Sequence, residues 1–161
     1  MARYGERPAQ PRPMVLLMLI LLALQYLSGM TTNLFVRIPV SNQATAGKPF
    51  YRVWEAALRQ TVLHGPLLPA FHVLLGVLLA LLSLVILVSA LIARNGVWIF
   101  YSLLGWLLTT TAAVNGLFFL SYGQHRLNAA IMSFVLIFAA AFYGIGYCVT
   151  RENHSFPRWR Y

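Results

Sequence analysis

The sequence predicts an all-α membrane protein: a four-transmembrane-helix antiparallel bundle with a short amphipathic surface helix between helices 1 and 2. Three observations predict it. Only 9% of the 161 residues are charged while 60% are hydrophobic, against about 25% charged in an average soluble domain. Four apolar runs, at about 14–34, 66–92, 97–120 and 127–149, contain no Asp, Glu, Lys or Arg. Each is long enough to cross the hydrocarbon core, which takes about 20 helical residues at ~1.5 Å apiece.

The first 13 residues carry Arg3, Arg7 and Arg12 with Pro8, Pro11 and Pro13, and read as a disordered basic tail. The first span follows at Met14. A cleaved signal peptide is the rival reading, but its apolar core would be about 7–15 residues long with a small-residue cleavage site behind it, and this run is longer and lacks the site. Residues 35–49 form a polar loop. In FYRVWEAALRQTVLHG, Tyr51, Trp54, Leu58 and Val62 recur at helical spacing, opposite a charged stripe of Arg52, Glu55 and Arg59. That pattern predicts an amphipathic helix, either at the membrane surface or packed on the protein. Gly65-Pro66 ends it, and proline at a first helical position opens the second span. Arg94-Asn95-Gly96 is a tight turn before the third span, and Ser121–Arg126 separates the third from the fourth. A basic tail covers 150–161.

The short second and third connections make spans two, three and four sequential antiparallel neighbours. Gly76 with Ala80, Ala112 with Gly116 and Ala140 with Gly144 are small-residue pairs at the spacing that lets membrane helices approach closely.

The net charge of +9 arises from 12 Lys and Arg against only Glu6, Glu55 and Glu152. The basic residues flank apolar runs, so they read as lipid headgroup contacts and topology signals rather than a nucleic-acid surface. Arg3, Arg7, Arg12, Arg94, Arg151, Arg158 and Arg160 fall on one side of the bundle, and Arg37, Lys48, Arg52, Arg59 and Arg126 on the other. Seven against five places both termini in the cytoplasm, with the chain in the cell (inner) membrane. The single cysteine, Cys148, excludes an internal disulfide, a CxxC redox pair and a CxxCH haem attachment.

Chemistry-bearing groups are sparse. No carboxylate lies in a span, which argues against proton coupling through buried acids and against carboxylate-bound metal pairs. No Gly-rich phosphate loop, GxSxG or HExxH occurs. What remains is a set of polar residues at shared depth: Asn33 at the outer end of span one, His64 and His72 at the outer start of span two, Asn115 and Tyr122 at the outer end of span three, and His125 in the following turn. Such residues are costly in hydrocarbon unless paired, so they predict a small polar pocket inside the outer half of the bundle. His72 has two readings. In one it bonds Asn115 or a backbone carbonyl and fixes helix packing. In the other it is an axial haem ligand with His125 or His64 opposite. His64 and His72 are eight residues apart, roughly 80° out of register at 3.6 residues per turn, so both cannot readily grip one planar ligand. His64, Tyr122 and His125 could do acid–base work, but no nucleophile or metal set accompanies them.

HGPLLPAFHVLLG (His64–Gly76) and NGLFFLSYG (Asn115–Gly123), after a first span ending GMTTNLFV, resemble an uncharacterised group of small four-span bacterial membrane proteins over about residues 14–149. The resemblance implies a four-helix membrane bundle and no activity. The arrangement is also loosely similar to b-type cytochrome membrane subunits, which hold haem b between paired histidines, although here only His72 lies well inside a span.

The sequence therefore favours a non-enzymatic accessory or binding subunit, without a cofactor. Its outer pocket would take a lipid-like or small apolar ligand or a partner helix, alone or within a homo-oligomer or a larger membrane complex. A haem- or quinone-binding redox subunit is the alternative, and a small oligomeric transporter or channel the second alternative.

Overall fold

The computed structural model describes residues 12–37, 47, 49–123 and 126–152. They form five helices: α1 (Arg12–Phe35), α2 (Phe50–His64), α3 (Leu67–Ala93), α4 (Gly96–Tyr122) and α5 (Arg126–Glu152). Four of them are long and apolar enough to cross a membrane: Pro13–Phe35, Leu67–Ala93, Gly96–Tyr122 and Arg126–Val149. α1 begins two residues inside the expected N-terminal tail, and α5 runs three residues beyond the expected fourth span. The rest of both expected tails lies outside the described residues.

Local chemistry explains the boundaries. Pro66 sits in extended conformation just before α3, where its missing N–H costs nothing. Arg94 ends α3 in the left-handed region at φ 49°, and its N–H bonds to Leu91 O. Asn95 then caps α4, its side chain accepting from Trp98 N at 3.2 Å, which satisfies one of the amides a helix start leaves open.

The four spans form a ring. α1 packs on α3 and α5, and α4 packs on the same two helices from the other side. Among the described residues the diagonal pairs, α1 with α4 and α3 with α5, do not meet at backbone level. Each span turns large apolar side chains outward, among them Ile20 and Leu27 (each 60% exposed), Leu81, Phe100 and Phe134. Contiguous exposed apolar surface on this scale is what hydrocarbon solvates. The chain is a multi-pass integral membrane protein.

The end of the bundle away from α2 is packed solid. Val15, Met18, Ile86, Ala90, Trp98, Ala139 and Tyr143 form its core. Tyr143 is fully buried and lies over Gly105, where an added Cβ would come within 2.5 Å of the ring. The Trp98 ring lies over Gly146 in the same way, beside Tyr101 Cβ. Gly144, expected at a helix contact with Ala140, instead faces open space. The glycines that admit close contact on α4 and α5 are thus the ones opposite aromatic rings.

α2 packs across the ends of α3 and α4. Arg52, Glu55 and Arg59 are exposed, as their stripe predicts. The inward face differs from the expected one. Val53 and Thr61 are buried, Trp54 meets Phe118 edge-on at 5.6 Å, and Tyr51 is exposed. The buried stripe is rotated toward Val53 because α2 docks on two helices, not on a flat lipid surface.

Candidate functional site: an intramembrane cavity walled by a polar clasp

His72 lies one to two turns into α3, about 9 Å from Pro66 at ~1.5 Å per residue. Its ring reaches α1. His72 Nδ1 lies 2.9 Å from Ser28 Oγ, and Nε2 lies 3.2 Å from Gln25 Nε2. Ser28 Oγ donates its one proton to Gln25 O at 3.0 Å. The hydroxyl must therefore accept from Nδ1–H, which leaves Nε2 as the acceptor for the Gln25 amide N–H. The tautomer with the proton on Nδ1 is the one that serves both contacts.

Two glycines make this clasp possible. A Cβ on Gly29 would stand 2.8 Å from His72 Cε1, and one on Gly76 would stand 3.2 Å from Gln25 Nε2. Gln25 and Gly29 are four residues apart on α1, and His72 and Gly76 are four apart on α3. In antiparallel register each long polar side chain lies over the glycine of the facing helix. The interlock is the polar counterpart of small-residue packing in membranes.

Beside the clasp, in the half of the bundle nearer α2, lies a cavity of about 550 Å³. α1 contributes Gln25, Gly29 and Thr32, α3 His72 and Gly76, α4 Ala112 and Gly116, and α5 Ala129, Met132 and Leu136. Leu58 of α2 closes part of one end. The lining is overwhelmingly apolar. Thr109 and Ser133 also line it, but each gives its hydroxyl proton to a carbonyl of its own helix. Gln25 Oε1 and Thr32 Oγ1 are buried just behind the surface without a hydrogen-bond partner.

The residues expected to gather here separate. His72 and Asn33 line the cavity. His64, the last residue of α2, is exposed and does not. Asn115 does not bond His72. Its Nδ2 donates to Thr111 O of its own helix at 3.0 Å, because it is turned about 120° from the cavity-lining face of α4 at ~100° per residue. Tyr122 is exposed and stacks on Phe118 at 5.8 Å. His125 lies outside the described residues. The pocket is therefore apolar with one polar wall, not a polar cluster.

The clasp also bears on the haem reading. Both nitrogens of His72 are engaged, so a metal would have to displace Ser28 or Gln25 to reach one. Among the described residues no three His, Cys, Asp or Glu side chains are grouped to hold a metal ion.

Gln25 and Ser28 belong to the candidate site, and sequence reasoning missed them. The available signal was the matched pair Gln-x-x-x-Gly and His-x-x-x-Gly in consecutive antiparallel spans. No family model, curated protein or solved structure matches the chain.

Proposed function

We propose that this protein is a non-enzymatic binding or accessory subunit that holds a lipid-like molecule in the cavity at the α2 end. The cavity carries the reading. It is large, apolar and walled by all four spans at a depth where hydrocarbon is the solvent. Ligand sites in proteins are typically clefts of about 300–1,000 Å³ with few polar groups. An apolar cavity stays dry, so a neighbouring acyl chain is the natural occupant. The clasp holds α1 against α3, and the reading needs no catalytic group. Lys and Arg on the flanks favour both termini in the cytoplasm of a cell whose inner membrane houses the chain, which puts the cavity in the outer leaflet.

Native mass spectrometry of the protein extracted mildly from its own membrane tests this. Ala130 lines the cavity and is exposed, so Ala130→Trp fills the space without disturbing the packed end. The wild type should carry a lipid-sized adduct that the variant lacks. A second copy of the chain, a partner helix, a quinone or a Soret-absorbing cofactor retained in place of lipid would replace the proposal.

A further inference from the structure

Resting on the cavity reading, we infer that the ligand is a single-chain lipid with an anionic head, a carboxylate or a phosphate, held at Arg126 and Asn33. Volume sets the chain count. At about 30 Å³ per water- or methylene-sized group, the cavity accepts about 18 such groups. One long acyl chain fits in that space.

The distribution of polar atoms sets the position of the head. The interior wall carries no charge, and its one unspent hydroxyl, Thr32 Oγ1, stands next to Asn33 near the end of α1. His72 spends both nitrogens on Ser28 and Gln25, and Thr109 and Ser133 spend their protons on their own helices. The rim differs. Arg126, the first residue of α5, lines the cavity and is the one charged lining residue among the described residues, which supply no carboxylate to the lining. Asn33, near the end of α1, lines the same rim and adds an amide N–H. A guanidinium offers forked donors that fit a carboxylate or phosphate at two oxygens. From Arg126 the lining continues down α5 to Leu136, about 15 Å at ~1.5 Å per residue, so the chain lies along α5 opposite the clasp. Neutral heads take a weaker hydrogen bond from the guanidinium than an anion does, and two-chained lipids leave one chain outside.

The test is competition for labelled oleate on the full chain in phosphatidylcholine nanodiscs. The competitors are oleyl phosphate, monoolein and dioleoyl phosphatidylglycerol. Oleate and oleyl phosphate should bind about tenfold tighter than monoolein, as a charge-assisted hydrogen bond implies, and the tighter of the two identifies the head. Arg126→Gln should weaken oleate and oleyl phosphate about tenfold and so bring them level with monoolein. Equal affinity for monoolein, or a preference that survives Arg126→Gln, would overturn the anionic head. Equal competition by the two-chained lipid would overturn the single chain. Both results leave the cavity reading standing. Binding of every probe unchanged in Ala130→Trp would instead sink the cavity reading itself.

Discussion

Replacing Gly29 by alanine puts a methyl group 2.8 Å from His72 Cε1, well inside contact distance. The ring must move, and with it go the contacts of 2.9 Å to Ser28 Oγ and 3.2 Å to Gln25 Nε2. Side-chain hydrogen bonds between membrane helices average about 0.6 kcal/mol and reach about 1.7, so losing both costs about 1–3 kcal/mol. Alanine also gains helix propensity, up to about 1 kcal/mol over glycine, which would mask part of the effect. Gly144→Ala supplies the correction, because its Cβ meets nothing within 4 Å and it carries the propensity gain alone. Unfolding in mixed micelles, followed by circular dichroism, should therefore place Gly29→Ala about 1–3 kcal/mol below Gly144→Ala. In a His72→Ala background the ring is gone, and the Gly29→Ala penalty should vanish. This is the non-additivity expected of residues in contact. Equal stability of the two glycine variants, or a Gly29→Ala penalty unchanged without the imidazole, would refute the interlock of α1 with α3.

Other perturbations follow from the same geometry. Gly105→Ala drives a methyl into the ring of Tyr143, which is fully buried and has no room to withdraw, so thermal melting should show it as the most damaging of the alanine changes, at about 3 kcal/mol or more. Tyr143→Phe should cost under about 1 kcal/mol in the same assay, because the hydroxyl has no well-formed hydrogen bond to lose. Asn115→Ala should leave both stability and lipid retention near wild type, since its amide serves only Thr111 O, whereas Gln25→Ala should lower the melting temperature. Trp54→Ala removes the edge-on contact with Phe118; hydrogen exchange should quicken across α2 and stay unchanged in α3.

The spans were legible because each is a run of uncharged residues at the length a bilayer demands, and Pro66 and Arg94-Asn95-Gly96 announce their own turns. The exposed stripe of α2 was legible for the same reason, through Arg52, Glu55 and Arg59. Its buried face was not, because docking on α3 and α4 turns Val53 inward in place of Tyr51. His72 stood out as an imidazole within hydrocarbon, but its partner did not. α3 borders both α1 and α4 in the ring, and one sequence does not say which of Gln25 and Asn115 faces it. Gln25 and Ser28 were hidden as mild polar interruptions of a long apolar run, and an amide or hydroxyl there also fits a bond to its own helix, the arrangement Asn115 adopts. Gly105 gave no hint of Tyr143, since the contact joins residues far apart in sequence. The cavity was the least legible feature. It exists because small residues on α4 and α5, among them Ala112, Gly116 and Ala129, coincide in depth with the clasp, and that coincidence depends on how the four rods are rotated.

The most direct measurement is an experimental density map of the full chain in lipid nanodiscs. It should show one unbranched rod of density between the Gln25–His72 wall and α5, ending at Arg126. A bundle in which neighbouring side chains have collapsed into that space, leaving no room for a chain, would contradict the account.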